Sequence, residues 1–378
     1  MLVHDMLRRL IVILVLAAVG AGACAAWLLR PGPPLRLGLV GSLSGRFAVL
    51  GTTGRDGAIL AVEEINAAGG ILGRRVVLDI LDDRGDGEAC RQAYETLAAR
   101  DCRLVIGPFA TGPATAALET INRLGILTIA PTVAGDNLSG KDDWFLRLYP
   151  STRQMGRMLG SMAIADGIRV LAVIGDAANG PFVSTTLAGV REAIGPDLRV
   201  IDRTFDSRKP ESLLAVAGEV AEAEAVLLVA SSLDTAALAQ RLRARRADLR
   251  LLCASWSVSK ELIANGGRSV DGMRTVLPVE FGSETTDALD QRFRVRFGED
   301  ITHVAILHHE AVRLLAAAIR SAGTTDPAVL RQALIASDAP PGAPVGCQLD
   351  RFGDPCRELQ PHRIVAGRLV AESRVAVR

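Results

Sequence analysis

Short apolar runs alternate with amphipathic helical stretches through nearly the whole chain after residue 35. In the first part, the apolar runs lie at 37–40, 76–81, 104–106 and 126–129, and the helical patterns lie at 56–67, 88–99 and 113–123. The helical patterns repeat apolar residues every three or four positions, which is typical of a helix with one buried face. Strands joined through helices pair in parallel and are covered on both faces. This order therefore predicts an α/β fold.

The same rhythm begins again near residue 151. Predicted strands lie at 170–174, 199–201, 225–229 and 249–253, with helices at 184–194, up to about 221, and at 234–245. A long helical stretch runs from 285 to 322, and a predicted hairpin of 345–349 with 363–370 closes the chain. Because 378 residues exceed the size of one ordinary core, we expect two Rossmann-like lobes.

The N-terminal segment indicates the cellular compartment. Arg8 and Arg9 precede an uncharged apolar run at 10–29, which is long enough to cross a bilayer. Basic residues before such a run favour export of everything that follows it. Three fates stay open: cleavage as a signal peptide near 21–23, retention as an inner-membrane anchor, or lipidation at Cys24. All three place the rest of the chain outside the cytoplasm.

Composition and motifs exclude several classes of function. The net charge of +1 and the lack of a basic stripe argue against nucleic-acid binding. A P-loop, an HExxH motif and a GxSxG motif are all missing from the sequence. There is also no CxxC motif or Cys/His cluster of the kind that holds a metal. We therefore expect no enzymatic activity, no cofactor and no metal site.

Several titratable residues attract attention, but structural roles are favoured for them. His303, His308 and His309 fall in one helical stretch, so a surface or packed-helix role is expected. Three acids follow a predicted strand, where solvated loops and helix caps are common: Asp82, Asp83 and Asp86.

Five cysteines lie beyond the apolar leader, so an odd thiol remains if the others pair. Cys347 and Cys356 flank a turn-like segment, and a disulfide bond between them is an open alternative. Cys90 and Cys102 are separated by a predicted helix, which places them too far apart for a bridge.

Small polar residues follow the predicted strands at their carboxyl ends. In an open parallel sheet, ligands bind at this edge. Backbone N–H groups and hydroxyls at the helix N-termini that follow suit a carboxylate or another anion. Helix capping is the competing role for each hydroxyl. The candidate ligand-binding residues of this kind are Ser42, Ser44, Thr111, Gly112 and Ser232.

Several short segments follow one another in a family-like order. They are LGLVGSLSG at 37–45, INAAGGILGR at 65–74, LDD at 81–83, VIGP at 105–108 and ILTIAP at 126–131. Their order and spacing resemble those of type I periplasmic solute-binding proteins, in particular the leucine/isoleucine/valine-binding family of ABC transporters. FLR at 145–147 is similar to the crossover into the second lobe, and 305–323 is similar to the helix that returns to the first. The resemblance covers roughly residues 35 to 370.

The resemblance implies two lobes with parallel sheets, joined by three crossovers, that close on a small solute like a hinged trap. Residues 1–34 would form the signal peptide or anchor, 35–150 the first lobe and 151–279 the second, with 280–338 completing the first lobe and 339–378 the second. It further implies the extracytoplasmic substrate-binding component of an ABC importer, acting as a monomer. This component would deliver an amino acid, or a related carboxylate or amide, to a membrane permease. A ligand-sensing receptor of the same fold that regulates amide or amino-acid uptake or metabolism is the alternative.

The resemblance also implies site residues in the first lobe. Family members take the ligand carboxylate with backbone and hydroxyl groups at the positions of Thr111, Thr132 and Ala134. Ala134 stands where a threonine often contacts the ligand, so one hydrogen bond is expected to be lost. An aromatic residue often occupies the position of Leu50.

The second lobe departs from the family pattern. A tyrosine expected near Gly180 and an acid expected near Trp256, which would hold an ammonium group, are both absent. Asp176 is the nearest acid, and it either holds an ammonium group or only ends a strand. Burying an ammonium without an acceptor costs several kcal/mol. A ligand without an ammonium group, such as a carboxylate, amide, urea-like compound or aromatic acid, is therefore also considered. Trp256 would either stack on such a ligand or serve only in the packing of the lobe.

Overall fold

The computed structural model describes residues 32–45, 48–196, 198–336, 338–344 and 346–372. Its first sheet has five parallel strands: β1 (Leu35–Gly41), β2 (Val76–Asp82), β3 (Leu104–Ile106), β4 (Leu127–Ala130) and β5 (Phe145–Arg147). Their order across the sheet is β2-β1-β3-β4-β5. We call this sheet and its helices the first lobe.

The second sheet has seven strands among the described residues. They are β6 (Val170–Asp176), β7 (Arg199–Phe205), β8 (Ala225–Val229), β9 (Arg250–Cys253), β10 (Arg274–Leu277), β11 (Gln360–Val365) and β12 (Arg368–Ala371). The order is β12-β11-β10-β9-β8-β6-β7, and only β11 and β12 run antiparallel to their neighbours. This sheet and its helices form the second lobe. The predicted α/β fold with two mainly parallel sheets is confirmed.

Eleven α-helices lie in the described part of the chain. They are α1 (Ala48–Ala67), α2 (Gly87–Ala99), α3 (Thr111–Leu124), α4 (Thr152–Ala165), α5 (Gly180–Ala193), α6 (Pro210–Val216), α7 (Ser232–Arg245), α8 (Lys260–Gly266), α9 (Glu284–Phe297), α10 (His303–Ala322) and α11 (Pro327–Leu334). None of the described helices has the length and apolarity needed to cross a membrane. The predicted leader at 10–29, including Cys24, lies outside the described residues.

Helix α1 begins eight positions before the predicted start at residue 56. Two glycines in this added part, Gly51 and Gly54, and Gly57 just after it weaken the helical pattern of the sequence, but close packing requires them. A Cβ at Gly51 would lie 1.9 Å from the carbonyl oxygen of Ser42, and one at Gly57 would lie 2.1 Å from that of Ala305 in α10. A Cβ at Gly54 would meet the His308 ring. The glycines therefore let α1 lie directly against α10.

The predicted helical stretch from 285 to 322 is two helices, α9 and α10. Gly298 ends α9 in a left-handed conformation with φ of 76°, which glycine adopts without a Cβ clash. The buried residues Leu289 and Phe293 of α9 pack with the second lobe, whereas Ala311 and Leu315 of α10 pack with the first. The chain thus returns to the first lobe within α10, because its residues at 305–307 still pack with the second lobe.

The predicted C-terminal hairpin was wrong in its pairing. Strand β11 pairs with β12 through a two-residue turn, and Val345 lies outside the described residues. Leu349 makes only an isolated bridge with Pro355. Both Cys347 and Leu349 pack in the core of the first lobe, so the final crossover follows this segment instead of preceding residue 339.

Cys347 and Cys356 are both free thiols. The Leu349–Pro355 bridge and the hydrogen bond from the Cys356 N–H to the Gln348 carbonyl set the pairing of this segment. Successive residues of an extended chain point to opposite faces. Cys347 is accordingly buried beside Arg357, whereas Cys356 is exposed on the other face. The two thiols therefore point apart, which explains why they are not bridged.

Candidate functional site

The loops at the carboxyl ends of the strands meet near the first crossover between the lobes. Ala134, which follows β4, lies in the same buried cluster as Met155 and Ala254, which belong to the second lobe. The Ala134 carbonyl accepts hydrogen bonds of 2.9 Å from both the N–H and the hydroxyl of Thr152. The Ser255 hydroxyl lies 3.1 Å from the Met155 sulfur. The loops after β4 and β9 therefore lie close together where the two lobes meet, and we call this region, where a ligand is expected, the cleft.

The serines after β1 are bound to carboxylates of β2 and the loop after it. The Ser42 hydroxyl is buried and donates to Asp83 at 2.7 Å, while the Ser44 hydroxyl donates to Asp82 at 2.6 Å. Each hydroxyl has a single proton, which is already used. In this conformation neither serine can donate to a ligand carboxylate, although both were predicted as contacts.

The three acids after β2 have different environments. Asp86 caps α2 by accepting from the Ala89 N–H at 2.8 Å, as predicted for a cap. Asp82 is the exposed last residue of β2. Partial burial would raise its pKa, but hydrogen bonds from Ser44 and backbone N–H groups lower the pKa of Asp82. Asp83 is fully buried, and burial raises its pKa, so the expectation of a solvated loop was wrong for this residue.

Helix α3 has no side-chain cap, because its N-cap residue is Ala110. Its first residues are therefore free to donate N–H groups to a ligand. The hydroxyl of Thr111, the first residue of the helix, has no hydrogen-bond partner in the described part of the chain, and Gly112 is exposed. Thr132 behaves differently, since its hydroxyl donates to the Phe109 carbonyl at 2.7 Å. Thr111 and Gly112 are thus the available donors of this loop.

The lack of a cap is shared with one other long helix, α5 in the second lobe. Its N-cap residue is Asn179, whose side chain makes no capping hydrogen bond. Side chains do cap the other helices of 13 to 20 residues whose N-caps are described: α2, α4, α7, α9 and α10. Both helices follow the carboxyl ends of strands, but the 3-10 turn Ala177–Asn179 that leads directly into α5 is capped by Asp176.

Two predicted contacts of the first lobe offer no polar side chain. Leu50 is partly buried and packs against the first-lobe core from α1. Ala134 is 4% exposed and provides only its backbone, whose carbonyl is already bonded to Thr152. The hydrogen bond expected to be lost at Ala134 is therefore not replaced by that residue itself.

Asp176 is fully engaged within the second lobe. One oxygen accepts from the N–H groups of Ala178 and Ser207, at 2.9 and 3.2 Å, and the other accepts from the Ser207 hydroxyl at 2.8 Å. The side chain is also buried. Of the two roles considered for Asp176, these contacts favour the end of a strand over an acceptor for an ammonium group.

An aromatic pair joins the first turn of α5 to the loop after β9 in the second lobe. The rings of Trp256 and Phe182 lie 5.7 Å apart at an angle of 64°, and both side chains are partly buried. This edge-to-face arrangement is a favoured one for aromatic rings. Sequence reasoning identified Trp256 but missed Phe182, which follows Gly180 by two positions, close to where a tyrosine was sought. Ser232 is the first residue of α7, which is capped by Ser231.

The three histidines of α10 are buried within the fold. The His308 ring packs against Phe109, with the ring centres 4.0 Å apart, and its Nδ1 lies 2.7 Å from the Val304 carbonyl. Burial lowers the pKa of His303 to about 3 and that of His308 to about 4, so both are neutral near pH 7. His309 lies 2.9 Å from Glu64. The predicted packed-helix role is confirmed for all three.

A sequence model of the family described as "Periplasmic binding protein" matches residues 34–346. The chain belongs to this family. It is a family of binding proteins and not of enzymes, and the resemblance to the Leu/Ile/Val-binding proteins of ABC transporters is confirmed.

Curated relatives from bacteria support this assignment. The Leu/Ile/Val-binding protein BraC3 of Rhizobium johnstonii is 34% identical over 105 residues, which cover 28% of this chain and 29% of the relative. That match spans less than a third of the relative's length. The leucine-, isoleucine-, valine-, threonine- and alanine-binding protein of Pseudomonas aeruginosa is 24% identical over 317 residues, covering 80% of this chain and 82% of the relative.

Solved structures of periplasmic binding proteins share the fold. The branched-chain amino acid transporter substrate binding protein LivJ of Streptococcus pneumoniae, in complex with isoleucine, has a TM-score of 0.78 and 18% identity, covering 90% of this chain and 99% of that one. An ABC transporter solute binding protein of R. palustris, in complex with benzoate, has a TM-score of 0.77 and 20% identity, covering 91% of this chain and 97% of that one. At these identities the likeness establishes the fold alone.

Proposed function

We propose that this periplasmic binding protein is the extracytoplasmic substrate-binding component of an ABC importer and that its ligand is a small aromatic carboxylate. The observation that carries the ligand class is the pairing of free donors in one lobe with an aromatic pair in the other. The contact residues of this proposal are Thr111, Gly112, Phe182, Ser232 and Trp256.

The first-lobe side of the cleft suits the carboxylate end of such a ligand. The N–H groups at the start of α3 and the hydroxyl of Thr111 have no side-chain acceptor from the cap position. A helix N-terminus also carries a partial positive charge that favours an anion. A carboxylate placed there would satisfy donors that the protein itself leaves open.

The second-lobe side suits an aromatic ring. Trp256 and Phe182 present apolar, partly buried surfaces next to each other. A contact between two aromatic rings contributes about 0.5–1.5 kcal/mol in addition to the burial of apolar surface. Ser232 would add a hydroxyl for a polar ring substituent.

An amino acid is less well matched because its ammonium group finds no free carboxylate in these loops. The second-lobe loops at 177–181, 230–232 and 254–257 contain no acidic residue. Asp176 is committed to Ser207 and Ala178, and Asp136 of the first lobe pairs with Arg153 at 3.0 Å. Burying an unpaired ammonium costs several kcal/mol, which favours a ligand without one.

The solved relatives include both ligand classes, since one binds isoleucine and another binds benzoate. The local chemistry of this cleft supports the second class. The same proposal includes delivery of the ligand to a membrane permease and a position outside the cytoplasm. It also includes two hinged domains that meet at residues 148–152.

A thermal-unfolding panel tests this function. Protein stripped of bound ligand is heated with branched-chain amino acids, amides, ureas and aromatic acids in turn. A ligand at about 100 times its Kd stabilises the folded state by about 2.7 kcal/mol, which raises the melting temperature by several degrees. An increase with aromatic acids supports the proposal. No increase with any of these solutes counts against a transport receptor.

A further inference from the structure

A second cavity, of about 400 Å³, lies on the edge of the second sheet opposite the cleft. It opens at the amino ends of β9 and β10, whereas the cleft loops follow the carboxyl ends. Arg250 begins β9, whereas Trp256 follows the end of that strand at Cys253, so the cavity and the cleft loops lie at opposite ends of the strand. The charged residues that line the cavity are Arg243, Arg250, Arg274, Arg363, Asp166 and Asp248.

Two of these arginines are neutralised by carboxylates. Arg274 and Arg363 lie directly opposite each other on β10 and β11. Glu372 joins them, accepting from Arg274 at 2.6 Å and from Arg363 at 2.7 Å. Asp166 accepts from Arg274 at 2.6 Å. These pairs explain how two like charges are tolerated side by side.

The other two arginines have no carboxylate partner in the described part of the chain. Arg243 donates to the carbonyl oxygens of Ala247 and Asp271, and its Nε–H is buried without a partner. Arg250 donates to the carbonyl oxygen of Asp166 at 2.7 Å. Two guanidinium groups therefore line one cavity with carbonyl oxygens as their hydrogen-bond partners; Asp248 also lines it but forms no ion pair with either of them in the described part of the chain.

An anion with several oxygens fits this arrangement. A buried N–H without an acceptor is costly, and the two guanidinium charges of Arg243 and Arg250 repel each other. A carboxylate has one charge and two oxygens, whereas a phosphate group near pH 7 has up to two charges and at least three acceptor oxygens. Guanidinium groups bind such oxygens with strong, charge-assisted hydrogen bonds.

We propose that this cavity is a binding site for a phosphate group, held by Arg243 and Arg250, with the neutralised Arg274–Arg363 pair as its wall. The phosphate is either a free ion or a monoester, because the same contacts recognise both. The site is independent of the cleft and of the ligand proposed there.

Calorimetric titration of the full chain at low ionic strength tests this site, with inorganic phosphate and glycerol 3-phosphate as separate probes. The double variant Arg243→Gln/Arg250→Gln should bind the better probe at least about tenfold more weakly than wild type. Arg245→Gln is the matched control, because Arg245 is exposed on the same helix and does not line the cavity. It should bind within about twofold of wild type.

Arg250→Glu provides a second variant in case loss of Arg243 disturbs folding, since Arg250 is exposed. It should abolish binding while the melting temperature stays near that of wild type. Tighter binding of glycerol 3-phosphate would identify a monoester, and tighter binding of phosphate would identify the free ion. The proposal is overturned if neither probe binds wild type up to ~10 mM, or if both variants bind as wild type does. Benzoate binding, measured in the same samples, reports separately on the cleft.

Discussion

In the proposed site, the two lobes present opposite kinds of surface to the ligand. The first lobe offers hydrogen-bond donors, with Thr111 and Gly112 at the uncapped start of α3. The second lobe offers the rings of Phe182 and Trp256, while the nearby Asp176 is used up by hydrogen bonds within its own lobe. One side is thus prepared for a negative charge and the other for an apolar group.

This difference gives the ligand a direction. A solute that satisfies both surfaces has a carboxylate at one end and an unsaturated or apolar body at the other. In the proposed function such a solute contacts both lobes at once, so it would couple binding to closure of the lobes. Disturbing one side at a time should therefore show which end of the ligand each lobe recognises.

The largest effect is expected from removing the second-lobe ring. Trp256→Ala should weaken binding of an aromatic carboxylate by ~10–100-fold, because a buried tryptophan is often worth 2 kcal/mol or more at a binding surface. Calorimetric titration measures the change. Trp144→Ala is the control, since Trp144 packs on the first-lobe core away from the cleft loops. Unchanged affinity in Trp256→Ala would make Trp256 a packing residue.

The next effect concerns the contact between α1 of the first lobe and α9, which packs with the second. Burial alone would raise the pKa of Glu64, but hydrogen bonds and charges from His309 and Arg292 lower it to about 2. The folded-state pKa lies below the ordinary 4.5, so this stabilisation is present above pH 4.5 and is lost as the pH falls towards 2.

Glu64→Gln should accordingly reduce the free energy of unfolding by ~1–3 kcal/mol at pH 7. The difference from wild type should shrink steadily below pH 4.5, as followed by urea unfolding at several pH values. Glu63→Gln is the control, because Glu63 forms a half-exposed pair with Arg296 that is worth ~1 kcal/mol or less. A pH-independent difference would show that the charge of Glu64 is not the cause.

A smaller effect is expected on the donor side. Thr111→Val keeps the shape of the side chain but removes its hydroxyl, so affinity should fall about fivefold, or about 1 kcal/mol. Thr96→Val, on the exposed face of α2, should leave affinity unchanged. Equal affinities of all three proteins in a calorimetric titration would remove Thr111 from the site.

The smallest change in affinity is expected at Asp176. Asp176→Asn should lower the melting temperature, because the contacts to Ser207 are weakened, while ligand affinity stays within about twofold. A loss of tenfold or more, confined to amino-acid ligands, would instead establish Asp176 as an ammonium acceptor and reverse the comparison between the lobes.

The fold could be predicted because each strand and most helices carry their own local pattern of apolar residues. The start of α1 was missed since its glycines, required by Ser42 and Ala305, weaken that pattern. The position of the cleft loops was predictable in the same way, from the ends of the strands.

Which of the predicted polar residues in those loops stay free of other partners could not be predicted. Ser42 is engaged by Asp83, 41 positions away, and Asp176 by Ser207, 31 positions away. Such hydrogen bonds form only when distant strands come together, so the local sequence does not indicate them. Phe182 was missed because its side chain reaches Trp256 only once α5 is in place.

Parallel calorimetric titrations of ligand-stripped protein with benzoate and with isoleucine test the central claim most directly. The donor-lined first lobe and the aromatic second lobe predict that benzoate binds at least about tenfold more tightly, a difference of about 1.4 kcal/mol or more. Tighter binding of isoleucine would contradict the claim, because it would require an ammonium acceptor that the second-lobe loops at 177–181, 230–232 and 254–257 do not contain.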